Sequence, residues 1–221
     1  MIKDSATFRA VRNLSAQGTV WADGGFYYFQ NKLGIFAAPD LHMLKVFLED
    51  LEMIYGALDV EGRAVADVGA YLGETAVFFA KRGARYVYAY EPVFHTYTEY
   101  NLRLNNVKNA AVHPYGLWVE DGELSITPAG LSTGLTHGTL KIQVKPLADA
   151  LNNVDVVKMD CEGCEWALIA VPCEVIRRAE EYVVEVHGPE PQLIRRMEKC
   201  GFKPKLVSRP APLVSVWRFS L

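Results

Sequence analysis

The chain has 221 residues, half of them hydrophobic and 22% charged. That is one domain of ordinary size with enough apolar surface for a real core, and it excludes disorder, collagen-like repeats and coiled coil. The formal net charge of −3 excludes a polycation built throughout for nucleic acid. The charge is uneven, however: from Pro191 to Leu221 seven Lys/Arg residues (Arg195, Arg196, Lys199, Lys203, Lys205, Arg209, Arg218) face one acid, Glu198.

No apolar run reaches the roughly 18 residues of a membrane helix, and the polar start at Lys3-Asp4 does not resemble a signal peptide. The expected location is the cytoplasm. Residues 1–60 are expected to form an N-terminal extension docked on a main domain of residues 61–221. Within the extension, Phe26-Tyr27-Tyr28-Phe29 and Leu33–Ala37 read as a β-hairpin. Hairpin packing explains the aromatic run most simply; a lid over a substrate is the alternative. Asp40 is the expected N-cap of a following helix whose Leu41, Leu44, Leu48, Leu51 and Tyr55 make one apolar stripe, with Gly56 near its end.

From Arg63 onward strands and helices alternate. Strands are expected at Ala64–Asp67, Tyr86–Tyr90, Ala111–Tyr115, Val154–Met159 and Tyr182–Val186. Helices are expected at Glu74–Arg82, His95–Asn105, Glu165–Ala170 and Gln192–Cys200. This is the pattern of right-handed βαβ units around a parallel sheet with helices on both faces. Phe202–Val207 and Leu213–Phe219, joined through Pro210-Ala211-Pro212, read as an antiparallel hairpin closing one edge. Residues Ala129–Gly138, with Ser132, Thr133 and Thr136, read as a polar loop between strands. In such doubly wound sheets a ligand sits beyond the carboxyl ends of the strands.

Asp67-Val-Gly69-Ala70-Tyr71-Leu-Gly73-Glu74-Thr75 carries a buried strand through a glycine turn into a helix. Gly69 permits close approach of a ligand to the backbone and Gly73 permits close helix–strand packing. Glu91, at the end of the next strand, is placed to accept hydrogen bonds from a ribose. A dinucleotide would want glycine where Tyr71 stands, and no acids where its phosphates meet the helix start. Asp67 and Glu74 therefore favour a cation-bearing adenosine ligand, S-adenosylmethionine, over NAD.

Together with Tyr90-Glu91-Pro92, Asn101-Leu-Arg-Leu-Asn105-Asn106 and Val157-Lys158-Met-Asp160-Cys-Glu162-Gly163-Cys-Glu165, the turn resembles the FkbM-type methyltransferases over about residues 60–190. The resemblance implies S-adenosylmethionine as cofactor. It also implies a doubly wound, mostly parallel seven-stranded α/β sheet ending in an antiparallel hairpin. Carried over by position, Asp67, Gly69, Gly73 and Glu74 would line the methionine end, Glu91 the ribose, and Tyr115-Gly116-Leu117 the adenine, with Ala70, Tyr71, Thr75 and Pro92 also at the cofactor. It further implies O-methylation of a hydroxyl on a small molecule, sugar or lipid.

Alternation places Lys158 and Asp160 on one side of their strand, and Glu185 and His187 end the next. The expected reading makes His187 or Asp160 a base, with Lys158 as electrostatic partner, Glu185 nearby and Glu162 a further candidate. A structural ion pair of Lys158 with Glu185 is the plain alternative. Glu165 reads as a helix-start acid. No metal set is expected: Cys161-x-x-Cys164 lacks a second matching pair, and Cys161, Cys164, Cys173 and Cys200 read as inert buried thiols. Among the other histidines, only His95 is placed to edge the pocket. Three rival functions remain: a ribose 2′-O-methyltransferase acting on RNA, supported only by the basic tail, a nicotinamide-dependent oxidoreductase, and a non-catalytic ligand-binding protein.

Overall fold

The computed structural model describes residues 5–127 and 140–221; the polar loop expected at Ala129–Gly138 lies outside them. In chain order the elements are α1 (Ser5–Ser15), β1 (Thr19–Asp23), β2 (Phe26–Gln30), β3 (Ile35–Ala38), a 3-10 helix at Leu41–Leu48, α2 (Leu51–Tyr55), β4 (Ala64–Val68), α3 (Glu74–Lys81), β5 (Tyr86–Tyr90), α4 (His95–Leu104) and β6 (Ala110–His113). There follow β7 (Gly116–Trp118), β8 (Gly122–Ile126), β9 (Leu140–Pro146), α5 (Leu147–Ala150), β10 (Val156–Met159), a 3-10 helix at Cys164–Ile169, α6 (Cys173–Ile176), β11 (Glu181–His187), α7 (Pro191–Lys199), β12 (Lys203–Ala211) and β13 (Val214–Ser220).

The main sheet runs β12-β13-β11-β10-β4-β5-β6. It is a mixed seven-stranded sheet: β11, β10, β4, β5 and β6 pair in parallel, and β13 is antiparallel to both β11 and β12. Every residue of β4 and β10 is buried, as strands covered on both faces must be. Their side chains alternate between two cores. Val65 and Val156 join the cluster under α3 and α4, and Ala66, Val68, Val157 and Met159 the cluster with Leu193 of α7. The edge hairpin extends further than the sequence suggests. Strand β12 continues through Pro210, and its register shifts beside Leu206 and Ser208, the irregularity by which an edge strand tolerates proline.

Residues 5–55 share the first of these cores. Leu14, Phe29, Phe36, Leu44 and Phe47 lie in one cluster with Val65, Val77 and Phe79. The hairpin of β2 and β3 gains β1 as a third strand, with α1 before it; neither was read from the sequence. The aromatic run packs internally and onto α4: Phe29 against Phe47, Tyr28 on Trp21, Phe26 against Tyr97 and Tyr100. The helix expected from Asp40 is two helices. Asp40 accepts a bond from His42 N–H at 2.7 Å, and Asp50 opens a second start by accepting from Met53 N–H at 3.0 Å. Glu49 lies extended between them.

Two asparagines clip this block to the main sheet. Asn101 and Asn105, one turn apart on α4, present their side-chain amides to alternate residues of β3 as a neighbouring strand would. Asn101 Oδ1 accepts from Ala37 N–H at 2.7 Å, and its Nδ2 donates to Ala37 O at 3.1 Å and Leu72 O at 2.9 Å. Asn105 treats Ile35 likewise, at 3.0 and 2.7 Å.

The cysteines are not inert thiols. Cys161 pairs with Cys164 and Cys173 with Cys200, with Cα atoms 5.5 and 5.0 Å apart, inside the reach of a disulfide. The second pair, 27 residues apart in sequence, meets only because the end of α7 packs beside α6. Disulfides occur both in oxidising compartments and inside hyperthermophile cells, so the pairing is compatible with either. No helix among the described residues is long and apolar enough to cross a membrane.

Asn101 is fully buried, so Asn101→Ala leaves the Ala37 amide and the Ala37 and Leu72 carbonyls without partners. The expected cost is ~2–4 kcal/mol in denaturant unfolding; a change within ~0.5 kcal/mol would show that the clip contributes nothing.

Candidate active site

Strand β4 ends in a turn whose backbone only certain residues tolerate. Gly69 has φ +78, and a Cβ there would stand 1.8 Å from the Asp160 carbonyl oxygen. The carboxyl ends of β4 and β10 therefore touch only because residue 69 lacks a side chain. Tyr71 is held at φ +46, a region L residues rarely adopt. The turn is fixed from the next strand. Glu91 Oε2 accepts from Tyr71 N–H at 2.9 Å, and Oε1 from Val93 and Phe94 N–H at 2.8 and 3.0 Å. Burial raises the Glu91 pKa, and these backbone donors oppose the rise. Thr98 closes the arrangement by donating to Tyr71 O at 2.5 Å, beside Gly73.

Beneath the turn lies Lys158, which is 1% exposed. Its Nζ donates to Gly69 O at 2.6 Å and Val68 O at 3.3 Å and lies 3.2 Å from Asp67 Oδ1. The other Asp67 oxygen accepts from Thr75 Oγ1 at 2.7 Å. Three expectations change here. Lys158 pairs with Asp67 rather than Glu185, and it sits under the cavity floor rather than on it. Its pKa is not depressed: burial pulls it down, but Asp67, Asp160 and Glu74 outweigh burial and raise it. Asp67, expected beside the ligand, is fully buried and neutralised by this lysine. Ala70 and Gly73 likewise shape the turn without lining the cavity.

Above the turn opens a cavity of about 380 Å³. Gly69, Tyr71, Glu74, Thr75, Glu91 and Pro92 line it, with Gly116 and Leu117 on the β7 side. Glu74 is 4% exposed, its Oε2 has no hydrogen-bond partner, and burial pushes its pKa up to about 8. The Tyr71 hydroxyl is likewise buried and unpartnered. The second sheet, β7-β9-β8, supplies an apolar wall of Trp118, Leu124, Ile126, Ile142 and Val144. Pro210, Ala211 and Val214 of the edge hairpin complete the rim.

Asp160, Glu162, Glu185 and His187 meet at the far end of this cavity, as their positions at the ends of β10 and β11 imply. His187 Nε2 lies 3.3 Å from Glu162 Oε2 and 3.5 Å from Glu185 Oε1, and Nδ1 lies 3.3 Å from Glu165 Oε1. Burial disfavours the imidazolium, but the bond to Glu165 and the charges of Glu165, Glu162 and Asp160 prevail and lift its pKa to about 9. His187 is thus charged at neutral pH, which removes it as a base. Glu185 is pushed up to about 8 by burial and by Asp160. Glu162 is also raised, by burial first, and its backbone stands at φ +57.

Two contributors escaped the sequence reading. Glu49 reaches the cavity from the break between the two N-terminal helices, where burial and Asp160 raise its pKa; the paired caps Asp40 and Asp50 were its only signal. Glu165 accepts from Gly163 N–H at 2.8 Å, as a helix-start acid does, and also from His187 N–H at 2.8 Å. Cys161 and Cys164 line the cavity as a disulfide, whereas His95 does not reach it. Three of the seven tail cations are engaged: Arg196 with Leu168 and Val171 carbonyls, Arg209 with Glu190, and Arg218 with Glu181.

Comparison with known proteins agrees with this geometry. A protein of Sulfolobus islandicus filamentous virus, called uncharacterized protein 65, is 28% identical over 152 residues, which is 67% of this chain and 76% of that protein. The ribosomal protein L11 methylase of Lactobacillus delbrueckii subsp. bulgaricus superposes with a TM-score of 0.51 at 19% identity, over 77% of this chain and 75% of that one. M. jannaschii TYW2, solved in complex with AdoMet, gives 0.51 at 14% identity over 92% of each chain. These two structures show a shared fold. The methyltransferase FkbM domain matches residues 67–204, and the chain belongs to that family.

Proposed function

We propose that this protein transfers the methyl group of S-adenosylmethionine to a hydroxyl oxygen of a small-molecule, sugar or lipid acceptor. The observation that carries the reading is Glu74: a buried carboxylate with an unpartnered oxygen, facing an apolar-walled cavity beside a glycine turn. A carboxylate at the first residue of α3 suits an ammonium and a sulfonium and repels a diphosphate, which speaks against nicotinamide dinucleotides. Gly69 leaves backbone accessible at the same place. When bound, the cofactor supplies a methyl carbon made electrophilic by its sulfonium.

The chain's own residues divide the remaining work. Glu74 holds the cationic end. Glu91, already fixed by three backbone donors, keeps acceptor capacity for ribose hydroxyls, and Pro92, Gly116 and Leu117 form the slot for the adenine. Asp160 receives the proton of the acceptor hydroxyl. Glu165 orients His187 so that Nε2 faces Asp160 and Glu185. The wall from Trp118 to Val144 excludes water, which would otherwise compete as nucleophile. Three of the seven cations of the basic tail are engaged in the fold, which weakens the one feature that favoured an RNA acceptor.

Calorimetry with S-adenosylhomocysteine is the direct test, and absence of heat would overturn the assignment. Glu91→Ala is expected to weaken cofactor binding by ~1–3 kcal/mol. Asp160→Asn should instead lower turnover by about two orders of magnitude while cofactor affinity stays within twofold; the reverse ordering would move Asp160 to the cofactor shell. The free protein holds Glu74 protonated below about pH 8, and binding a cation requires its ionised form. Affinity for S-adenosylmethionine should therefore rise between pH 6 and pH 8 and flatten above, and Glu74→Gln should remove that slope.

A further inference from the structure

We infer that Asp160, Glu185 and His187 form a binding site for one divalent transition-metal ion. One donor atom from each residue lies within 4.8 Å of the others. Two carboxylate oxygens and an imidazole nitrogen suit Mn²⁺, Fe²⁺ or Zn²⁺ better than the all-oxygen surroundings that Mg²⁺ and Ca²⁺ prefer. No metal set was expected from the sequence, because the three ligands lie on two strand ends 25 residues apart and share no motif. In space those strands are parallel neighbours. Glu185 and His187, two apart on β11, point the same way, and Asp160 follows β10 directly.

Two observations beyond the cluster support a cation here. Glu165, wholly buried, takes Nδ1 of His187 at 3.3 Å and its backbone N–H at 2.8 Å. That contact fixes the ring from behind and leaves Nε2 toward Asp160 and Glu185, the arrangement in which a carboxylate orients a metal-binding imidazole. Glu49 lines the same cavity from the N-terminal block, whereas Glu74, 4% exposed and with Oε2 unpartnered, stands at the opposite end by the turn. Lys158 is committed by contact to Asp67 and the turn carbonyls, so it offsets only part of this negative charge. A divalent ion taking the place of the proton on Nε2 would compensate it.

The imidazole also distinguishes a metal from a cationic amine, which would prefer carboxylates alone. The use of the ion rests on the transferase reading: open coordination positions toward the cavity would bind the acceptor oxygen, and Asp160, then occupied as a ligand, would pass the proton-accepting role to Glu162.

The test is titration of the metal-stripped full chain with Mn²⁺, followed by the electron paramagnetic resonance of the free ion, beside calorimetry with S-adenosylhomocysteine on the same preparation. One ion per chain is expected. Asp160→Asn and Glu185→Gln should each weaken it at least ~10-fold, with Glu174→Gln, on the exposed surface, unchanged. Absence of Mn²⁺ binding, or binding indifferent to both substitutions, overturns the metal site. If S-adenosylhomocysteine still binds in that case, the transferase reading stands alone. Mn²⁺ bound without S-adenosylhomocysteine heat supports the metal site and removes the transferase reading. A cationic amine bound by metal-stripped protein that takes up no Mn²⁺ would reassign the carboxylates to that amine.

Discussion

A single buried ammonium organises the centre of this protein. Lys158 reaches from β10 under the end of β4, where it meets Asp67 and the carbonyls of Val68 and Gly69. Withdrawing a lysine and an aspartate from water costs several kcal/mol per ion, and only a full set of partners offsets it. Here the partners are Asp67, the Gly69 carbonyl beyond the strand end, and Val68 O, which also accepts from Asp160 N–H at 3.0 Å. The lysine thus fixes the height of the glycine turn relative to β10. The contact of Gly69 with the Asp160 carbonyl, the shelf built on Glu91 and the position of Asp160 all follow from that spacing.

The same pairing changes the electrostatic character of the site. With Asp67 neutralised, the carboxyl groups facing the cavity stand in two separate places, and burial first of all pushes Glu74 and Glu185 up to about 8. Glu74 acts at the turn, and Asp160, Glu162 and Glu185 gather at the opposite end around His187. One acid near the helix start suits a ligand of modest positive charge. Several acids around one imidazole are a denser concentration than a single organic cation requires. The rise in pKa at Glu49, Glu74, Glu162 and Glu185 has burial as its first cause in each case.

Much of the architecture was legible because it is local. Continuous apolar strands, the glycine turn and the acids at strand ends all announce themselves within a few residues. The parallel centre of the sheet followed from the alternation, and its antiparallel edge from the tail pattern and the family resemblance. What escaped depends on distant contacts. Strand β1 is mostly exposed and shows no alternation, and helix α1 went unread although Ala10, Val11 and Leu14 make an apolar face on it. The β7-β9-β8 sheet is built of short strands whose pairing joins residues 14 to 28 apart. Lys158 and Asp67 are separated by 91 positions, so nothing near either residue reveals that one cancels the other. The Cys173–Cys200 bond is of the same kind. Glu49 was hidden because a continuous apolar stripe masks the break between two short helices.

The walls of the cavity do not coincide with the stretch that bears the family's imprint. That stretch, residues 67–204, holds the glycine turn, the Glu91 shelf and the ionisable cluster. Val46, Glu49, Leu51 and Tyr55 lie before it, and Pro210, Ala211 and Val214 after it. The segments outside that stretch therefore close the cavity on two sides, and the N-terminal one does so while sharing the core that carries the turn.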